Sequence, residues 1–234
     1  MKKIFLCLLL ALITIEVKAQ SFEISGQVNT GVSHYVGAGT VSSTFLNVDP
    51  QTHTGYPNGD GNRNAVIFGA DIQWQYTAKS NFILGLQTGY EALGSKIGIN
   101  SVFNEGANEP ATGTFTDHLN YINLNPYFGY RFKLNKVKLD IMPGLDFALG
   151  VHGSESGKAT TNDNTTYNAS DVANGTTRSD VRLRFGLVAY YQKFGITASY
   201  AHGITDFNSG AVSDSVLPTL RVEVIRIGLS YRLK

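Results

Sequence analysis

The chain has almost no cysteine, and its single one, Cys7, lies in the opening stretch MKKIFLCLLLALITIEVKAQ. There Lys2 and Lys3 form a positive n-region, Ile4 to Ile15 an apolar run, and Val17-Lys18-Ala19 a small-residue cleavage site. These are the marks of a secretory signal peptide over 1–19, with cleavage expected after Ala19. No small residues stand just before Cys7, so it is not read as lipid-modified. The remaining chain, 20–234, then has no cysteine, which excludes a disulfide framework and a thiolate metal site. A membrane-spanning helix is lacking too, because the leader's apolar run falls short of the roughly 20 residues a span needs. Charge is sparse at 16% of residues. Losing Lys2, Lys3, Lys18 and Glu16 with the leader takes the net charge from +1 to −1, so no electrostatic nucleic-acid surface is indicated.

Catalytic signatures are also missing. No H-E-x-x-H or G-x-S-x-G occurs. His118, His152 and His202 fall near strand ends, where a lipid-modifying enzyme would place them. By phase His118 and His202 point outward, and no convergent nucleophile accompanies them. Asn58-x-Asp60-x-Asn62 has the alternate-oxygen spacing of a cation loop. Arg63 stands where such a loop needs glycine and the closing Glu is absent, so it reads as a turn. No catalytic, cofactor or metal residue is therefore assigned, and the expectation is a protein that is not an enzyme.

What the chain does have is alternation. From His118 to Val151 the first arm places Ile122, Leu124, Pro126, Phe128, Tyr130 and Phe132 on one parity. The second arm answers with Val137, Leu139, Ile141, Pro143, Leu145, Phe147 and Leu149. The parity flips across KLNK, as a hairpin requires if both apolar faces stay on one side. Pairing Phe132 with Val137 would set Tyr130 on Leu139, Phe128 on Ile141 and Pro126 on Pro143. Facing prolines imply a bulge or a bridging water there.

The same pattern marks six more strands, around 22–32, 66–76, 82–91, 181–191, 194–201 and 225–233. Val222 and Val224 break the phase of the last, so a bulge or a loop-proximal irregularity is expected near them. The connections alternate long and short. The short links are TAKSN, KLNK and Gln192-Lys193. The long ones are polar stretches at about 37–63, 95–116, 152–179 and 205–219. Even strand number, short turns at one end and long loops at the other predict an all-β, eight-stranded antiparallel up-and-down transmembrane β-barrel, with three periplasmic turns and four extracellular loops. A soluble lipocalin-like barrel is the structural alternative.

The short-turn ends carry Trp74, Tyr76, Phe82, Tyr130, Phe132, Tyr191, Phe194 and Tyr231 on the apolar parity, a candidate aromatic girdle at the membrane interface. The other parity carries the charges. Asp71, Glu91, Asp140 and Asp146 oppose Arg182 and Arg184, with Arg131, Lys138, Arg226 and Arg232 on the same face. Eight strands leave an interior that side chains can fill, and an ion-pair network of Arg182 and Arg184 with Asp140 and Asp146 is expected in it.

YINLNPYFGYRF (121–132), SYAHGITDFN (199–208) and IGLSYRLK (227–234) are similar to segments of the small eight-stranded outer-membrane β-barrel family of Bacteroidota, the "porin family" or OmpX/OmpA-like barrels. The resemblance spans the whole mature chain. Where the family usually ends on an aromatic near its last position, this chain has Leu233, with Tyr231 two places earlier. The resemblance implies the cell outer membrane, lipid as surroundings, and barrel assembly machinery with periplasmic chaperones as partners during biogenesis. The expected role is structural or adhesive, through loops that meet an unknown extracellular ligand, in a monomer without cofactors. A narrow channel for small solutes is the alternative.

Overall fold

Alternation in sequence becomes alternation of faces. The computed structural model describes residues 19–49, 51–52, 54–169, 179–208 and 218–234. The predicted leader up to Lys18 and parts of the third and fourth long loops lie outside the described residues. The strands are β1 (Ala19–Val36), β2 (Thr40–Val41), β3 (Ser43–Asp49), β4 (Thr54–Pro57), β5 (Asp60–Gly61), β6 (Arg63–Ala78) and β7 (Phe82–Asn104). They continue as β8 (Ala107–Leu134), β9 (Val137–Thr161), β10 (Thr166–Ala169), β11 (Asp180–Tyr191), β12 (Phe194–Gly203) and β13 (Arg221–Arg232).

Eight of these correspond to the predicted strands and pair antiparallel in the order β7-β6-β1-β13-β12-β11-β9-β8, with β8 returning to β7. The first and last strands of the ring, β1 and β13, pair with each other, and the Leu233 N–H donates to Ile24 O at 2.7 Å. Within it the apolar parity points out and the charged parity points in. Phe68 is 63% exposed and Leu229 64%, whereas Asp140, Asp146 and Arg182 are fully buried. A soluble barrel would have the opposite pattern.

The central hairpin departs from the predicted register by two residues. Leu134 pairs with Val137 across a two-residue turn, which sets Phe132 on Leu139 and Tyr130 on Ile141. The predicted pairing would oppose Arg131 to Lys138 in the interior; the observed one opposes Arg131 to Asp140. Attraction in place of repulsion between buried charges favours this register. Pro126 and Pro143 consequently do not face one another. The ladder is interrupted beside them and resumes in the same register, and Asn125 Nδ2 donates to Leu145 O at 2.7 Å, satisfying a carbonyl there. Asn135 makes the turn at φ +56°, a conformation in which a Cβ-branched side chain is strained. Asn135→Gly should leave the urea midpoint nearly unchanged, while Asn135→Val should cost about 1–2 kcal/mol.

The long loops are the largest correction. The stretch 95–116 is a continuation of β7 and β8, closed by Glu105 (φ +48°) and Gly106 (φ +86°). β9 likewise continues to Thr161 past an irregularity between its Gly150 and His152 pairings. Against these extensions stand β3, parallel to β7, then β4, then β10, parallel to β4 and antiparallel to β9. The result is a second, smaller ring in the order β7-β3-β4-β10-β9-β8. It holds its own core of Leu46, Ile97, Ile99, Val102, Phe115, Ala159 and Tyr167. An up-and-down pattern has no place for these parallel pairs. Sequence patterning missed the tier because its inward apolar positions are set among Gly, Asn, Thr and Ser, and the exposed Phe103 blurs the contrast between the faces.

Between the rings lies another apolar layer that includes Tyr35, Ile67, Leu93, Leu119, Tyr121, Leu220, Val222 and Val224. Val222 and Val224 thus share the inward parity of Arg226, and β13 pairs with β1 without interruption from Arg221 to Arg232. The bulge predicted there does not occur. The phase break in sequence reflects an interior that turns from charged to apolar along the strand.

Candidate functional site

The interior of the eight-strand ring is built in layers. Nearest the short turns, Arg131 on β8 reaches two carboxylates at once. Its Nε and Nη2 donate to Asp140 at 2.7 Å each, and its Nη1 and Nη2 donate to Glu23 at 2.8 Å each. Arg232 Nη2 adds a contact to Glu23 at 3.1 Å and stacks its guanidinium 4.0 Å from the Tyr190 ring centroid. Paired, bidentate geometry of this kind is what lets charges persist in a water-poor interior.

Above this nest sits a layer of amides. Gln87 donates to Gln27 at 2.9 Å, Gln27 to Gln73, and Gln73 to Gln75 at 2.8 Å; Gln75 then donates to Asp140 at 3.0 Å. The Tyr127 hydroxyl donates to Gln75 at 3.0 Å. Gly85 makes room for that ring, because a Cβ there would fall 2.3 Å from Tyr127.

The second nest centres on Glu91. Arg226 binds both its oxygens, with Nη2 at 2.8 Å, while Arg182 Nη1 approaches at 3.2 Å and Asn123 donates at 2.9 Å. Arg182 also holds Asp180 at 2.7 Å and Asp146 at 3.6 Å, and Arg226 meets Asp146 at 3.3 Å. Asp71 is held by Asn29 at 2.8 Å.

The predicted site residues therefore fall into different groups. Arg182, Asp146 and Glu91 come together. Asp140 belongs to the other nest, with its cross-strand partner Arg131 rather than Arg182 or Arg184, because on β11 it stands opposite Val188 while Arg182 stands opposite Asp146. Among the described residues Arg184 has no carboxylate within 4.0 Å. It lines a cavity of about 20 Å³ beside Asn29, Gln87, Asn125 and Arg226, room for about one water. Glu23, Arg131, Asp180, Arg226 and Arg232 complete the nests. Parity places Arg131, Arg226 and Arg232 on the inner face, but the partners of all five lie across the interior and no sequence spacing reports that.

The girdle candidates lie on the outer face toward the short turns. Phe82, Tyr130, Phe132, Tyr191, Phe194 and Tyr231 are exposed, and Trp74 and Tyr76 are half-buried. Tyr130 packs edge-on against Phe132 at 5.0 Å and Phe194 against Tyr231 at 5.1 Å. Phe22, opposite Tyr76, extends the row.

At the other end the histidines sit apart. His118 bonds Ser156 at 2.9 Å, and His202 bonds Glu223 at 2.9 Å with Tyr200 donating to the same oxygen. The suspected cation loop is tied by its backbone. Asn58 N–H donates to Phe45 O and Asn62 N–H to Val41 O, both at 3.1 Å. Asp60 lines a cavity with Asp117 and Glu155, joined by Tyr35, Tyr56 and Ser95. Burial, reinforced by Asp117 and then Asp60, lifts the Glu155 carboxyl to about 7. Among the described residues no group of three or more His, Cys, Asp or Glu is arranged to hold a metal ion.

Two solved structures resemble the chain at low identity. One is the Ail attachment invasion locus protein of Yersinia pestis, crystallised with the heparin analogue sucrose octasulfate. It is 16% identical over 92% of this chain and 100% of that one, with a TM-score of 0.35. The other is Neisserial surface protein A, 9% identical over 91% of this chain and 99% of that one, with a TM-score of 0.37. No curated protein matches. The family model described as "Outer membrane protein beta-barrel domain" matches residues 18–209. By that match over most of its length, the chain belongs to the outer membrane protein β-barrel domain family, and its place is the cell outer membrane.

Proposed function

We propose that the ring of eight strands is the barrel that crosses the outer membrane, that its interior is a plug, and that the second tier is a surface presented outside the cell. The barrel is a monomer in lipid, delivered by chaperones and the assembly machinery, and its role is structural or adhesive through an extracellular ligand. The aromatic rows mark the periplasmic interface. The observation that carries this is the stacking of layers. Two nests of paired charges, an amide layer and an apolar layer lie in series inside one ring, and a second closed core stands above them. A channel needs a continuous wet path, and each layer blocks one.

Planar-bilayer recording should therefore show no reproducible single-channel steps from the refolded protein, which should still migrate differently on a gel with and without boiling. Regular steps of constant size would support the narrow channel instead. The tier offers a rigid scaffold of paired strands topped by short turns, the arrangement on which binding surfaces are commonly built.

A further inference from the structure

We propose that the short-turn end of the barrel is a docking rim for the anionic headgroups of membrane phospholipids, held by Lys79, Lys133, Lys136 and Lys193. Every short turn carries lysine. Lys79 lies between β6 and β7, Lys133 and Lys136 at the β8–β9 turn, and Lys193 between β11 and β12. All four are exposed, and among the described residues none has a carboxylate within 4.0 Å. No Asp or Glu stands in any of the three turns. Glu23 and Asp140, inside this end of the ring, are taken up by Arg131 and Arg232. The tier mixes both signs, with Glu105, Glu109 and Asp163 among Lys96 and Lys158. Exposed charge of one sign is therefore peculiar to the turn end.

The aromatic rows fix the depth of these lysines. Lys79 is three residues from Phe82, Lys133 follows Phe132, and Lys193 lies between Tyr191 and Phe194. Aromatic girdles sit at headgroup level, and three residues span no more than about 10 Å. An ammonium on a four-carbon stem thus reaches a lipid phosphate while its stem rests on apolar surface. Turns this short keep the lysines at the membrane surface and carry no segment out toward a more distant polymer.

Ring order decides what kind of partner fits. The strand pairs β6–β7, β8–β9 and β11–β12 occupy three quarters of the circle, and Lys234, just past β13, stands in the fourth. A compact ligand needs its cations gathered on one side. Cations spread around the rim suit a partner that surrounds the barrel, and a layer of anionic headgroups does so. Each lysine held near such a surface gains from it, and the gain is lost once salt screens the charges.

The rim rests on the reading of the ring as the membrane-crossing barrel, and one probe separates the two. Trp74, the only tryptophan, faces outward on β6 five residues before Lys79. Its fluorescence is quenched by brominated lipid that touches this part of the wall. The refolded full chain is placed in vesicles mixing phosphatidylglycerol and phosphatidylcholine, with one or the other brominated. At low salt the wild type should favour phosphatidylglycerol about fivefold, and the preference should fall toward one at about 1 M salt. Changing Lys79→Gln, Lys133→Gln, Lys136→Gln and Lys193→Gln together should remove the preference and leave quenching by phosphatidylcholine intact. Equal quenching of the wild type by both lipids overturns the rim, as does a preference that survives in the quadruple variant or in high salt. Quenching by neither lipid overturns the lipid-facing wall itself. Equal quenching together with co-sedimentation on purified peptidoglycan, lost in the variant, would assign the lysines to that polymer instead. Heat-modifiability reports the variant's folding separately, and the salt series on the wild type needs no variant.

Discussion

Arg131→Met is expected to abolish stable folding, although methionine fills much of the same volume. The substitution leaves the fully buried Asp140 without an ion-pair partner and Glu23 with Arg232 alone. Removing one member of a buried pair costs about 3–5 kcal/mol, and here one guanidinium serves two carboxylates. Set against total stabilities of about 5–15 kcal/mol, that loss is decisive. Urea unfolding in phospholipid vesicles can be followed by the fluorescence of Trp74, the only tryptophan. The double variant Arg131→Met/Asp140→Asn should recover a good part of the lost stability, since it removes the orphaned charge and leaves Glu23 with Arg232. Equal instability of the single and double variants would mean that Arg131 matters for packing and not for charge.

Ile227→Arg tests the other face. Ile227 lies at the middle of β13, outward, and 59% exposed. In a water-soluble barrel a charge at so open a position would be harmless, within about 0.5 kcal/mol. In a lipid-facing wall an arginine near the bilayer midplane costs about 2–4 kcal/mol. Val41→Arg provides the internal control, because Val41 is 40% exposed but belongs to the short β2 near the second tier. The urea midpoint should drop for Ile227→Arg and hold for Val41→Arg. Equal tolerance of both would refute a lipid-facing wall.

Much of this architecture was legible from period-two patterning, because lipid and a polar interior impose opposite demands on successive side chains. Every ring strand, from Phe22 in β1 to Tyr231 in β13, was identified this way, with the correct face outward. The pattern failed where the contrast between faces faded. In 95–116 the inward Ile97, Ile99 and Phe115 alternate with neighbours that are merely small or polar, so a hairpin resembled a loop. Val222 and Val224 looked like an irregularity because the interior they face is apolar rather than charged. Register was the other blind spot. A two-residue slip preserves every face, so hydrophobicity does not detect it, whereas the opposition of Arg131 and Asp140 does. Long-range pairs such as Arg131 with Glu23, or the meeting of Asp60, Asp117 and Glu155, depend on ring closure and have no local sequence signal.

β7, β8 and β9 pass without a break from the charged ring into the tier above it. A load applied to the tier is therefore carried by continuous backbone and cross-strand ladders, not by a hinge. Pulling on a ligand held there would strain the barrel wall itself, and tilting the tier would mean tilting the whole molecule in its bilayer. Under the proposed role, the angle at which a partner would meet the cell surface would be set by the lie of the barrel in the membrane, and tethering there would be stiff where a flexible loop would be compliant.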